Sequence, residues 1–248
     1  MQGNGQQVMV QTFCPIVELR RYTLHPGQRD VLIELFDREF LEGQEATGMT
    51  IIAQFRDLDA PDQFVWLRGF PDMPSRAASL QAFYGGPVWQ ANRAAANATM
   101  IDSDNVLLLR PAHPESGFLL GPERPPRGSA AIPEGIVVAT TWHLDPATAA
   151  GFPEVFETIL APMLGDAGAP ILASFVTEPG ENTFPALPVR EGEPVFVWFS
   201  RFPDRAAYQR HATARAGTHG FAAALLPHLA RAPEVALLLP TARSRLRS

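Results

Sequence analysis

The alternation of apolar and polar residues along this chain occurs twice. Residues 16–111 show the pattern of a strand, an amphipathic helix, two further strands, a second helical region and a last strand. Residues 136–240 show the same six elements in the same order. The best match is between Phe64–Asp72, FVWLRGFPD, and Phe196–Asp204, FVWFSRFPD. Because self-similarity on this scale indicates a duplicated structural unit, we interpret the chain as two copies of one domain.

The element order βαββαβ is typical of the ferredoxin-like, split βαβ unit. Two helices cover one face of its sheet, so a partner must bury the other face. We therefore predict an α+β fold in which two tandem ferredoxin-like repeats pack sheet to sheet within one chain, with a space between the sheets. The predicted domains are residues 15–112 and 135–241, with a linker at 113–134 and tails at 1–14 and 242–248.

The second copy carries an extra segment, residues 178–194, between its second and third strands. The segment is polar and rich in Pro and Gly, and it has no counterpart in the first copy. A connection of this length is either a lid over a site or a passive loop, and the sequence leaves both open.

Strand periodicity sorts the side chains of each strand into two faces. Glu18, Arg20 and Tyr22 share one face of the first strand, and Trp66 and Arg68 share one face of the third. The opposite faces carry small aliphatic residues that suit a helix-covered surface, so we expect the charged and aromatic faces to line the space between the sheets. A mostly apolar lining with a few polar groups is typical of a small-molecule pocket. The predicted substrate-binding residues are Trp66, Phe70, Trp89, Trp142 and Trp198.

The predicted catalytic residues are Glu18, Arg20, Tyr22 and Arg68. Glu18 or Tyr22 would transfer a proton, and the two arginines would hold an oxyanion or a carboxylate. Two alternatives stay open. The charged residues could form a static ion network that sets the register of the sheets, or they could lie on a solvated edge if the face assignment is inverted.

Composition excludes several classes of function. The net charge is −6, which does not favour binding to nucleic acid. All 20 basic residues are Arg, so lysine Schiff-base chemistry and a P-loop lysine are excluded. No apolar run is long enough to cross a membrane, no signal peptide is visible, and Cys14 is the single cysteine, which together predict a cytoplasmic protein. The spacing of His211 and His219 does not match a zinc pair, and we expect no metal and no cofactor.

Two segments of the first copy resemble the NIPSNAP family of the dimeric α+β barrel superfamily. Val17–Gly27, VELRRYTLHPG, is similar to the family's opening strand and turn, and Pro87–Arg93, PVWQANR, is similar to its later Pro-x-Trp segment. The second copy keeps the layout but lacks both motifs, so it resembles a degenerate partner. The resemblance implies ferredoxin-like units paired through their sheets. The superfamily includes cofactor-free oxygenases, cyclases and isomerases, and also haem enzymes with a histidine ligand.

The pattern and the resemblance together favour an enzyme that acts on a small hydrophobic or aromatic metabolite. We expect cofactor-independent acid/base chemistry of the isomerase, cyclase, dehydratase or oxygenase type, within biosynthesis, and the Ala, Pro and Arg bias suggests a bacterial source. The expected partner is a small molecule, with a homo-oligomer left open. The alternatives are a non-catalytic ligand-binding or scaffold protein, and a haem enzyme that uses His211 or His219.

Overall fold

The computed structural model of the protein describes residues 11–12, 14–121 and 124–247. The predicted N-terminal tail lies mostly outside these residues. The first half of the chain contains a short strand and the first run of helices and strands: β1 (Gln11–Thr12), β2 (Ile16–Leu24), α1 (Arg29–Leu35), a π-helical turn (Phe36–Phe40), α2 (Leu41–Glu45), β3 (Thr50–Asp57), β4 (Gln63–Phe70), α3 (Met73–Tyr84), α4 (Pro87–Asn97) and β5 (Met100–Pro111).

The second half follows the same order after a short strand that pairs with β1. Its elements are β6 (Leu119–Leu120), β7 (Ile136–His143), a 3₁₀ turn (Ala149–Gly151), α5 (Phe152–Val155), a π-helical turn (Phe156–Leu160), α6 (Ala161–Asp166), β8 (Ile171–Thr177), β9 (Val195–Phe202), α7 (Arg205–Gly217), α8 (Phe221–Leu225), a 3₁₀ turn (Leu226–His228) and β10 (Glu234–Pro240). Each helix in the described part of the chain is too short or too polar to cross a bilayer.

Local details recur between the halves. The π-helical turns begin at Phe36 and Phe156, which are 120 residues apart. The helices after the third strands begin alike, because the Asp72 and Asp204 carboxylates accept hydrogen bonds from the backbone N–H of Ser75 and Ala207, each at 2.7 Å. An N-cap of this kind satisfies a helix N–H group that would otherwise lack a partner.

Eight strands form one closed barrel in the order β10-β3-β4-β2-β5-β8-β9-β7, and each neighbouring pair is antiparallel. If the four barrel strands of each half are numbered in chain order, their order in the sheet is second, third, first, fourth in both halves. Two seams join the halves: β5 pairs with β8, and β10 pairs with β3. The halves therefore share a continuous hydrogen-bonded sheet rather than presenting two separate sheets to one another.

Side chains fill the barrel interior, so the prediction of a space between the sheets is wrong. Both halves contribute to one buried cluster, whose members include Val17, Leu19, Phe55, Leu67, Leu109, Phe175, Val197, Phe199 and Leu238. An eight-stranded barrel is just wide enough for its own side chains to fill it, which explains why the mainly aliphatic faces point inward. The charged and aromatic faces point outward and lie under the helices.

Segments that the sequence assigns to a linker and a C-terminal tail also pack on the barrel. Phe118 and Leu120 from the first segment and Leu246 from the second are buried in the same interior cluster. The backbone N–H of Leu246 donates to the carbonyl of Ile52 at 3.2 Å. These segments therefore contribute to the core of the barrel.

Candidate functional site

Three arginines share one carboxylate between the sheet and the helices of the first half. The Glu18 Oε2 atom accepts hydrogen bonds from Arg20 Nη1 at 2.6 Å and from Arg68 Nε at 2.8 Å, and Glu18 Oε1 accepts from Arg76 Nε at 2.6 Å. Glu18 lies on β2 directly opposite Arg68 on β4, whereas Arg76 comes from α3. The four side chains are at most 1% exposed. We call these four residues the arginine cluster.

The prediction that Glu18, Arg20 and Arg68 lie together is confirmed, but their predicted position inside the barrel is wrong. They belong to the layer that packs against α1, α2 and α3, as do Tyr22 and Trp66. Alternation along a strand shows which side chains share a face, but not which face becomes the interior. Here the width of the closed barrel decides it, because the space under the helices accepts larger side chains.

The arginines hold Glu18 as a carboxylate. Burial alone would raise the pKa of Glu18, but the charges of Arg68, Arg20 and Arg76 outweigh burial and hold the pKa well below its usual range. Both carboxylate oxygens are already bound by guanidinium groups, so Glu18 is a poor proton acceptor. Aromatic rings also stabilise the cations, since the Cζ atoms of Arg20 and Arg68 lie 5.5 and 5.2 Å from the ring centroid of Trp66.

Tyr22 connects the arginine cluster to an aromatic cavity. Its hydroxyl oxygen accepts a hydrogen bond from Arg20 Nε at 3.1 Å. Burial raises the pKa of Tyr22, although the neighbouring charge of Arg20 opposes the shift, so the phenol is protonated at neutral pH. Among the described residues the Tyr22 hydroxyl donates to no acceptor, so its hydrogen is free to bind a ligand.

The cavity lies between the sheet and the helices and has a volume of about 30 Å³. Space of this size holds about one water molecule. Its lining is mainly aromatic and comprises Tyr22, Leu32, Phe36, Phe40, Gln44, Trp66, Phe83, Tyr84, Trp89, Ala96 and Met100. Two of the lining groups, the Gln44 side-chain oxygen and the Tyr84 hydroxyl, accept hydrogen bonds from Arg68 Nη1 at 3.0 and 3.4 Å, so the cavity adjoins the arginine cluster.

The extra segment of the second half covers the site of the first half. Asn182 Oδ1 and Thr183 Oγ1 accept hydrogen bonds from Arg76 Nη1 at 3.0 and 3.2 Å. The ring of Phe184 stacks on that of Tyr84 with a centroid distance of 6.0 Å. The segment reaches the first half because β8, which precedes it, pairs with β5 across a seam. Of the two alternatives for this segment, these contacts favour a lid.

The second half has an apolar layer in the equivalent place. By strand register, Val138 and Ser200 face each other as Glu18 and Arg68 do, and Thr140 lies opposite Trp198 as Arg20 lies opposite Trp66. Trp142 and Trp198 are 5.7 Å apart and pack in the core of the second half. The two tryptophans therefore do not line the cavity beside Tyr22, which corrects the predicted pocket.

The remaining predicted residues stay near the site. Trp89 lines the cavity, and Phe70 is buried under Arg68, whose Cζ atom lies 5.7 Å from the ring centroid. Arg76 was missed by the sequence reasoning. A signal for it exists, because Arg76 occupies the same helix face as the buried Leu80 and Phe83 of α3, and a charged residue on an apolar stripe needs a buried partner.

Of the two histidines proposed as haem ligands, His211 is packed among other side chains and does not fit that role. The ring of His211 is enclosed by Phe202 and Tyr208 at 5.3 and 6.3 Å, and its Nδ1 lies 3.0 Å from the Ala167 carbonyl oxygen. His219 is exposed. A haem needs an open space beside its ligand, and the packing at His211 leaves none. In the described ranges, no group of three or more His, Cys, Asp or Glu side chains is arranged to hold a metal ion.

Comparison with solved structures shows the fold of the whole chain. A proposed monooxygenase from Fusobacterium nucleatum is similar with a TM-score of 0.59 and 9% identity, over 96% of this chain and 97% of that one. An anthrone oxidase-like protein is similar with a TM-score of 0.55 and 14% identity, over 94% of this chain and 95% of that one. At these identities the likeness concerns the fold alone. No curated protein is significantly similar in sequence.

The first half has its own relatives. A NIPSNAP-like domain protein from Burkholderia xenovorans is 27% identical over 44% of this chain and 95% of that one, with a TM-score of 0.39. The NIPSNAP family model matches residues 17–114, which contain the opening strand, the Pro-x-Trp segment and the whole arginine cluster. The chain therefore carries a NIPSNAP-family domain in its first half.

Proposed function

We propose that the first half binds a small aromatic molecule between its sheet and helices and performs acid/base chemistry on it without a cofactor. The observation that carries the proposal is the hydrogen bond from Arg20 Nε to the Tyr22 hydroxyl at the wall of the aromatic cavity. A phenol that is polarised by this hydrogen bond and backed by a fixed positive charge, beside an apolar cavity, supports the proposal. Such a donor is suited to stabilise negative charge that develops on an oxygen atom of the substrate.

Tyr22 would donate its hydroxyl hydrogen to a carbonyl oxygen of the substrate. As the substrate loses a proton to solvent water from a carbon conjugated with that carbonyl, negative charge builds on the carbonyl oxygen, and the Arg20 guanidinium strengthens the hydrogen bond from Tyr22. Glu18 would act as a positioning residue, because its carboxylate holds the guanidiniums of Arg20, Arg68 and Arg76 in place. We therefore prefer Tyr22 to Glu18 in the proton-related role.

Oxygenation is the first reaction to test, since the whole chain shares its fold with an anthrone oxidase-like protein and a proposed monooxygenase. In the overall reaction, anthrone loses two hydrogen atoms from its methylene carbon and reacts with O₂. One oxygen atom forms the new carbonyl of anthraquinone, and the other leaves as water with the two hydrogens. Tyr22 would stabilise the anthrone enolate that precedes the reaction with O₂. A molecule of this size does not fit a cavity of about 30 Å³, so its binding requires movement of the side chains and helices that line the cavity.

The test is O₂ uptake and anthraquinone formation with anthrone, compared among three proteins. Tyr22→Phe should lower the rate by about 10²-fold, the effect of removing one oxyanion donor. Tyr208→Phe, in the second half, is the matched control and should leave the rate unchanged. Equal rates in the wild type and in Tyr22→Phe would remove Tyr22 from the chemistry. If no aromatic compound binds at all, the scaffold alternative takes the place of this proposal.

We also propose that the halves are two ferredoxin-like units, residues 15–112 and 135–241, in a cytoplasmic protein. The matched strand orders and the π-helical turns 120 residues apart support the duplication. Cys14 is free, which is consistent with a reducing compartment. The barrel closes within one chain, so a homo-oligomer is not needed to complete it.

A further inference from the structure

Two arginines of the cluster each keep a buried nitrogen without a partner. The Nη2 atoms of Arg68 and Arg76 are inaccessible to solvent and have no hydrogen-bond partner among the described residues. The Nε atoms of the same side chains bind the two oxygens of the Glu18 carboxylate. Both guanidinium groups are therefore anchored to one shared carboxylate, and each keeps one free donor. A buried donor without a partner carries a free-energy cost that a bound acceptor would remove.

The cluster also has more positive than negative charge. Arg20, Arg68 and Arg76 each form an ion pair with Glu18, and in the described ranges no second carboxylate pairs with any of the three. Buried charges in proteins are normally paired, because desolvation of an unpaired charge is costly. An additional anion would bring the charges of this layer closer to balance.

The lid supplies only neutral acceptors to this excess charge. Arg76 Nη1 donates to the Asn182 side-chain oxygen and to the Thr183 hydroxyl. Asn182 is half-buried and Thr183 is exposed, so these two lid residues lie between Arg76 and solvent.

We propose that the preferred substrates of this site are aromatic carboxylates, with the carboxylate bound to the free Nη2 donors of Arg68 and Arg76 and the ring in the aromatic cavity, which must widen from about 30 Å³ to admit it. The inference rests on the proposed function, since it names the class of molecule that the same site takes. Arg68 links the two parts of the site, because its Nη1 already contacts Gln44 and Tyr84 of the cavity lining. Hydrogen bonds from a charged guanidinium to a carboxylate are stronger than those to a neutral acceptor, which favours the acid over a neutral ligand of the same shape.

The experiment compares 2-naphthoate with 2-naphthamide, its neutral isostere, by titration calorimetry on the full chain. The wild type should bind the carboxylate at least about tenfold more tightly than the amide. In Arg76→Gln the ratio should fall to about one, whereas Arg38→Gln, which removes an exposed arginine of the same half, should keep the preference. A preference that persists in Arg76→Gln would overturn the proposal.

A second variant covers the case in which Arg76→Gln does not fold. Asn182→Asp places a carboxylate on Arg76 from the exposed lid, so it should weaken 2-naphthoate binding by about tenfold and leave 2-naphthamide binding unchanged. Asn182→Ala is the matched control and should retain the preference for the acid. Unchanged 2-naphthoate affinity in Asn182→Asp would contradict the anion site. If both ligands bind equally to the wild type, the anion site fails and the aromatic cavity survives; if neither binds, the proposed function fails.

Discussion

Glu18 and Arg68 lie directly opposite each other on β2 and β4, joined by a hydrogen bond of 2.8 Å between Glu18 Oε2 and Arg68 Nε. The same two positions in the second half hold Val138 and Ser200. The halves thus use one strand register for different purposes. One layer is an apolar core, and the other contains a buried ion network that links two strands and a helix.

Replacing Glu18 should strongly destabilise the protein. Glu18→Gln leaves three buried guanidiniums without a counter-charge, and removal of one partner from a buried ion network costs about 3–5 kcal/mol. Glu34→Gln, on the exposed face of α1, should change the free energy of unfolding by less than about 0.5 kcal/mol. Urea denaturation measures both. A loss below about 1 kcal/mol in Glu18→Gln would show that the network is not needed for stability.

The arginine cluster should also make stability depend on acid pH. The pKa of Glu18 is lower in the folded protein than its ordinary value of 4.5, so the stabilisation is fully present above that value and is lost as the pH falls below it. The unfolded state takes up the proton first, which favours unfolding. Urea midpoints measured as the pH is lowered from 4.5 should fall more steeply for the wild type than for Glu18→Gln. Parallel pH profiles in the two proteins would contradict the shift.

Ionisation of Asp37 should destabilise the folded protein, whereas ionisation of Glu18 stabilises it. Burial raises the pKa of Asp37 to about 6 from its ordinary 3.8, against the opposing charges of Arg243 and Arg124, and its Oδ1 atom is buried without a hydrogen-bond partner. An acid with a raised folded-state pKa costs stability as the pH rises from its unfolded value through its folded value. Asp37→Asn should therefore stabilise the protein by on the order of 1 kcal/mol at about pH 8, after allowance for solvent screening.

The gain should disappear near the unfolded pKa of 3.8, where Asp37 is protonated in the folded state. Thermal or urea unfolding at both pH values checks this difference. Asp30→Asn, an exposed position on α1, serves as the control and should show no comparable gain at high pH. An equal effect of Asp37→Asn at the two pH values would show that ionisation is not the cause.

The C-terminal segment should be required for the stability of the barrel. Leu246 is 7% exposed and belongs to the interior cluster, so Leu246→Ala should cost about 2–3 kcal/mol from lost burial and the remaining cavity. Leu226→Ala is the matched control because Leu226 is 62% exposed, and its effect should stay below about 0.5 kcal/mol. Equal unfolding free energies for the two variants would mean that residues 242–247 are a dispensable tail.

The repeat and the strand faces could be derived from local pattern. The matched segments around Trp66 and Trp198 identified the duplication, and alternation along β2 and β4 placed Glu18, Arg20, Tyr22 and Arg68 on shared faces. These are short-range properties of the backbone, because a strand alternates its side chains wherever it lies. The NIPSNAP relationship of the first half was also visible in its opening strand.

The position of those faces depends on contacts between distant parts of the chain. Closure of eight strands through the β5–β8 and β10–β3 pairs left room inside the barrel only for the mainly aliphatic faces, and so moved the charged faces under the helices. Arg76 binds Glu18 although the two residues are 58 positions apart in sequence. Asn182, in the other half of the chain, contacts Arg76 across a seam. The amino-acid pattern thus defined the repeated units and the groups that share a surface. Which surface became core and which became site followed from barrel closure, because interior width and cross-seam packing are properties of the assembled fold.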